Sequence, residues 1–221
     1  MTSVTTIGTV LESSAPESQS SPVALTLAVT GASGSLFAIE MLKALDADVR
    51  VDRVHLVLSP SARRVLAEEA GLTGPSALVD RLLGRSSVKV TLLAHEDIGA
   101  PIASGSYPIS AMIVLPCSMG TLGGIAHGLA GNLIERAADV CLKERRRLVL
   151  CVRETPLNLI HIRNMAAVTE AGATVFPLIP TFYNHPQTVD DIARNYVHRV
   201  LQHIGLPQPG AFSWGASQDN A

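Results

Sequence analysis

ALTLAVTGASGSLFAIEMLKAL, residues 24–45, decides the fold. An apolar run of β type, ALTLAVT (24–30), meets the glycine turn GASGS, and over 36–45 the apolar residues recur at helical spacing. The reading is strand, tight turn, helix. RVHLVLS (53–59) repeats the strand pattern, and Ser59-Pro60 supply an N-cap and a first helical position for a helix over 61–70. Residues 75–83 read as a further helix and 88–93 as a short strand. AMIVLP (111–116), RLVLCV (147–152) and ATVFPLI (173–179) continue the β runs with helical segments between them, and the last helix spans about 189–204. Strands alternating with helices predict a single α/β domain, a parallel sheet with helices on both faces. Ligands of such sheets bind beyond the carboxyl ends of the strands. Residues 31–34, Ser59, residues 116–121 and Arg153-Glu154 all fall just after a β run.

A chain of 221 residues suits one well-buried domain. Residues 1–22 are rich in Ser, Thr and Glu without apolar periodicity and are expected to be a disordered leader; the folded unit is expected over 23–206 and a loosely ordered tail over 207–221. Charged residues make up 16% of the chain, against roughly 25% in an average soluble domain. That shortage fits a homo-oligomer whose surface is covered by copies of itself, or an Ala/Val/Leu-rich core under an ordinary surface. The net charge of −2 provides no basic stripe, which excludes nucleic acid as a partner. No apolar run approaches the roughly 20 residues needed to span a bilayer. The first basic residue is Lys43, so neither a secretory nor a mitochondrial signal is expected, and a cytoplasmic location with no membrane partner is expected with it. Cys117, Cys141 and Cys151 lack CxxC spacing and read as reduced core residues. The seven histidines show no ligand spacing such as HExxH and GxSxG is absent, so neither a metal nor a hydrolase triad is expected.

The chemistry concentrates between residues 116 and 154. PCSMGTLGGIAHG (116–128) opens with small hydroxyls and glycines suited to a phosphate or a flavin edge, or to a plain turn. On a helix over 132–143, Asn132, Arg136 and Lys143 share one stripe beside the apolar Leu133, Ala137, Val140 and Cys141, so two cations look the same way. Arg145, Arg146 and Arg147 read as a helix C-terminus charged against its dipole. Arg153-Glu154, just past a buried strand, reads as an acid/base carboxylate among cations or as a structural ion pair. TGASG (30–34) can hold a phosphate on backbone amides and a helix N-terminus, or serve as a turn. Ser104-Gly105-Ser106 reads as a conformational turn. PTFYNHP (180–186) is a Pro-bounded loop composed like a lid over an anion, or a rigid connection; Arg199 lies well along the helix after it.

Taken together, TGASG at Thr30, Ser59, ASGS at Ala103, PCSMGTL at Pro116, NLIERAADVCLKERR at Asn132, RETP at Arg153 and FYNHPQ at Phe182 resemble the flavin prenyltransferase family, within a larger set of flavoproteins that includes cysteine decarboxylases. The likeness runs from about residue 24 to 206. It implies a Rossmann-like or flavodoxin-like domain in a large homo-oligomer, often a dodecamer, with sites at subunit interfaces. It implies transfer of a dimethylallyl group from dimethylallyl phosphate to N5 and C6 of reduced FMN, the prenylated FMN passing to a partner decarboxylase. By this likeness Gly31, Ala32, Ser33, Ser59, Ser118, Met119, Gly120, Thr121 and Arg153 hold FMN. Arg136, Lys143, Glu154, Tyr183 and Arg199 surround the donor phosphate, and Glu154, Glu69 and Ser33 handle protons without a metal. Some members place a tryptophan over the prenyl group where this chain has Ile98. The competing readings are an FMN-dependent cysteine-type decarboxylase, whose chemistry has no use for a phosphate cage, and a non-catalytic flavin carrier subunit of a decarboxylase.

Overall fold

The computed structural model describes residues 23–212. The leader expected over 1–22 and residues 213–221 of the expected tail lie outside the described residues. Six strands, β1 (Val23–Val29), β2 (Val51–Leu58), β3 (Val90–Leu93), β4 (Ala111–Cys117), β5 (Arg147–Val152) and β6 (Thr174–Val175), form one sheet in the order β3-β2-β1-β4-β5-β6, with every pairing parallel. Seven helices connect them: α1 (Ser35–Ala47), α2 (Pro60–Ala70), α3 (Leu78–Leu83), α4 (Met119–Ala126), α5 (Leu133–Lys143), α6 (Leu159–Glu170) and α7 (Val189–His203). This strand order is that of the doubly wound dinucleotide-binding sheet, whose topological switch lies between β1 and β4.

The period of two along each strand divides the core. In β1, Leu25, Leu27 and Val29 face a cluster built with α1, α2, α3 and α7, while Ala28 faces a second cluster with α4, α5 and the segment 100–109. Both faces are covered, which is why β4 is buried at all seven positions and reads as an unbroken apolar run. Among the described residues no helix is long and apolar enough to cross a membrane.

Five local expectations are corrected. The strand expected over 173–179 pairs only at Thr174–Val175; Phe176 and Leu178 still donate to Leu150 O and Val152 O at 2.9 Å, with Pro177 between them on the open edge of the sheet. The strand expected over 88–93 is Val90–Leu93. The helix expected over 75–83 starts at Leu78, after a turn containing Gly74 and Ala77 at positive φ. Residues 119–121, read as turn, are the first turn of α4: Ser118 Oγ accepts from Thr121 N, and burial of Met119, Leu122 and Ile125 outweighs the low helix propensity of three glycines. Residues 207–212, assigned from sequence to a loose tail, are tied back to the α1–β2 corner by Gln208 Nε2 to Asp48 Oδ2 (2.9 Å) and Arg50 Nη2 to Pro207 O (2.9 Å).

Candidate active site at the carboxyl ends of the strands

The crevice between β1 and β4 gathers four loops. Thr30 joins them: its hydroxyl donates to Pro116 O and accepts from Ser118 N, both at 2.8 Å, so the ends of β1 and β4 are locked together. Gly31 follows, and a Cβ there would overlap the Cβ of Ser61, which requires glycine where α2 approaches. Ser59 caps α2, accepting from Ala62 N at 3.0 Å. Ser118 caps α4 and its hydroxyl lies 3.2 Å from that of Thr121; a Cβ at Gly120 would meet open space, so the start of α4 is accessible to a ligand. Arg153, at the end of β5, donates from Nε to Ser33 O at 3.2 Å and bridges to the β1–α1 loop. Glu154 is exposed beside it, with Oε1 accepting from Thr155 N at 3.1 Å.

The anion expected at the start of α1 is supplied by the chain itself. Glu69 of α2 accepts from Gly34 N (3.1 Å) and Ser35 N (2.8 Å). Burial pushes its carboxyl up, but the Ser33 hydroxyl and those amides together outweigh this and hold it below the usual glutamate range. Glu69 is therefore an ionised acceptor that orients Ser33. The crevice leaves the α4 start, Ser59 and the outer nitrogens of Arg153 for a phosphate and a flat ring edge, which fits FMN.

The remaining expected residues lie elsewhere on the chain. Arg136 and Lys143 flank the 103–106 turn: Arg136 donates to Ala103 O at 3.0 Å and pairs with Asp139 at 2.8 Å, and Lys143 pairs with Glu144 at 2.5 Å. A Cβ on Gly105 would overlap the Glu144 carboxylate and crowd the Lys143 ammonium, so the glycine of that turn makes room for the ion pair. Arg146 and Arg147, read as dipole partners, instead bind carbonyls, of Gly105 and Tyr107 and of Ile204 at the end of α7. Lys143 stands just before the start of β5, the end of the sheet opposite the crevice. Tyr183 and Arg199 line a third place, a cavity of about 170 Å³ on the outer face of α7. Ile98 lies on the turn after β3, 59% exposed. Thr30 as the lock between loops was missed, because its partners are 86 and 88 residues away and nothing local marks them.

The flavoprotein family model matches residues 13–201. The flavin prenyltransferase UbiX of Halalkalibacterium halodurans is 41% identical over 197 residues, 88% of this chain and 95% of that protein. This chain belongs to the flavin prenyltransferase family. Among solved structures, AnUbiX (PadA1) in complex with FMN and dimethylallyl pyrophosphate superposes with a TM-score of 0.79 at 38% identity, covering 89% of this chain and all of that one. The dodecameric FMN-dependent UbiX-like decarboxylase from Escherichia coli O157:H7 superposes with a TM-score of 0.77 at 42% identity, covering 88% and 100%. The cysteine decarboxylase TvaF, 19% identical at a TM-score of 0.54, shares the fold alone.

Proposed function

We propose that this chain transfers a dimethylallyl group from dimethylallyl phosphate to N5 and C6 of reduced FMN, as a homo-oligomer whose sites lie between copies. The observation that carries the reading is the convergence of Gly31, Ala32, Ser33, Ser59, residues 118–121 and Arg153 in one crevice, in a chain 41% identical to a flavin prenyltransferase along most of its length. Reduced FMN supplies the electron-rich N5 and C6. The start of α4, with Ser118, Met119, Gly120 and Thr121, holds its phosphate and ring edge beside Ser59, and Arg153 closes the crevice from β5. Arg136, Lys143, Tyr183 and Arg199 hold the donor phosphate. As the allylic C–O bond breaks, charge grows on that phosphate, and cations and a phenol brought together by neighbouring copies lower the barrier. Glu154 receives the proton that leaves C6, through a carboxylate open to the crevice. Ser33 Oγ, held by ionised Glu69, relays the proton at N5.

Within one copy the crevice, the Arg136–Lys143 corner and the Tyr183–Arg199 cavity lie at separate places, which supports a site completed by neighbouring copies. The exposed apolar row Leu157, Leu159, Ile160 and Ile162, immediately after Arg153-Glu154, is surface that such neighbours would cover. Twelve copies, as in the dodecameric relative, belong to this proposal. A decarboxylase that uses prenylated FMN as recipient, with transfer in the cytoplasm, belongs to it as well. The deciding experiment is anaerobic incubation with reduced FMN and dimethylallyl phosphate, followed by mass spectrometry of the released flavin. A flavin heavier by one prenyl unit, with phosphate released, is expected. Unchanged flavin, with the diphosphate donor also tried, overturns the proposal. Glu154→Gln separates catalyst from carrier: turnover falls while FMN binding persists.

A further inference from the structure

The cavity on α7 is walled by more than the two expected residues. Phe176, Tyr183, Asn184, Tyr196 and Arg199 line it, and Ala211 and Phe212 close it from the C-terminal segment. At about 170 Å³ it is smaller than the roughly 300 Å³ at which pockets for drug-sized ligands begin. A phosphate fits that scale and a flavin does not. The cavity also contains polar capacity: Asn184 Oδ1 is buried with no hydrogen-bond partner among the described residues, and turning that amide presents its NH2 to an anion.

Phe212 packs on Tyr183, ring centroids 4.8 Å apart and inclined at 48°. Its segment is anchored at the other end, where Gln208 Nε2 binds Asp48 Oδ2 and Ala211 N donates to Gln208 O at 3.1 Å. A half-exposed tyrosine on a loop that also contains His185 at φ 50 has rotamers to lose on binding a ligand. A stacked ring removes those rotamers beforehand, so less is lost when the ligand arrives.

We propose that Phe212 is a positioning residue of the donor-phosphate site: packed against Tyr183, it fixes the phenol across the cavity from Arg199. The proposal rests on the reading of Tyr183 and Arg199 as holders of the donor phosphate. It is tested by calorimetric titration of dimethylallyl phosphate into protein loaded with oxidised FMN, where no transfer occurs, using the native chain, Phe212→Ala and Phe212→Tyr. Phe212→Ala is expected to weaken donor binding about fivefold, the effect of one aromatic pair, with FMN affinity and thermal midpoint unchanged. Phe212→Tyr restores binding. In turnover the donor KM rises by the same factor while kcat holds. Native donor affinity in Phe212→Ala overturns this proposal alone, as does a parallel fall in FMN affinity and thermal midpoint. Absence of donor binding to the native chain overturns the donor-site reading and this proposal with it.

Discussion

Thr30 is 1% exposed and its hydroxyl serves two strand ends at once. Thr30→Val keeps the shape and strands Ser118 N and Pro116 O, so a loss of about 2 kcal/mol is expected in urea unfolding, together with weaker FMN binding. Gly31→Ala forces Ser61 or the loop to move, since a Cβ has no room; flavin titration should show reduced affinity. Glu69→Gln retains the size of the side chain but loses the charge that anchors Gly34 and Ser35 amides. A fall of about 1 kcal/mol, the scale of a lost helix cap, is expected. At position 98 the aliphatic side chain offers no π face to an allylic cation. Ile98→Trp should therefore raise the transfer rate several-fold in single-turnover measurements. Of these residues, Gly31, Ser59 and Arg153 were legible in the sequence because each follows an apolar run. Thr30 and Phe212 were not, because their roles come from partners distant along the chain.

At the scale of elements, caps determine where the site's helices begin. Asn132 accepts from Glu135 N at 3.1 Å and starts α5, the helix that presents Arg136 and Lys143. Its apolar face, Leu133, Ala137, Val140 and Cys141, is wholly buried, as the 3.6-residue period required. Asn132→Ala should lower stability by about 1 kcal/mol in chemical denaturation without unfolding α5, since packing carries most of the helix. The turn signal at 118–121 misled for the opposite reason. Glycine-rich local sequence argues against a helix, and only the sheet beneath Met119, Leu122 and Ile125 reverses that preference. β6 is the edge strand, and Pro177 sits between two donors to β5, Phe176 and Leu178, where its missing N–H faces away from the sheet.

For the whole molecule, acid should act in two stages. Burial holds the His55 and His198 imidazoles below their ordinary value of 6.5, with the nearby Arg53 and Arg194 adding to it. The unfolded chain then binds protons more readily, so stability is full above about pH 6.5 and falls as pH drops through the folded values. Glu69 and Asp191, held below 4.5 and 3.8, add a second loss further down in the same direction. Denaturant midpoints across pH 2 to 8 should show both stages, and His55→Gln, which retains a partner for Tyr107, should weaken the first. Sites between copies predict complementation: Arg153→Ala and Arg199→Ala chains, each inactive, should regain activity when co-expressed, and separate sites within each chain would give none. By itself the sequence determined the succession of strands and helices, the side of the sheet on which the ligand loops lie, and the family. Periodicity, caps and glycine turns act within a few residues, and the motifs are contiguous. Only the tertiary structure decided the strand order and which loops meet. Thr30 with Pro116, Arg153 with Ser33 and Gln208 with Asp48 lie 86, 120 and 160 residues apart. Such pairs form only after the sheet has brought their strands together, and no local pattern records them.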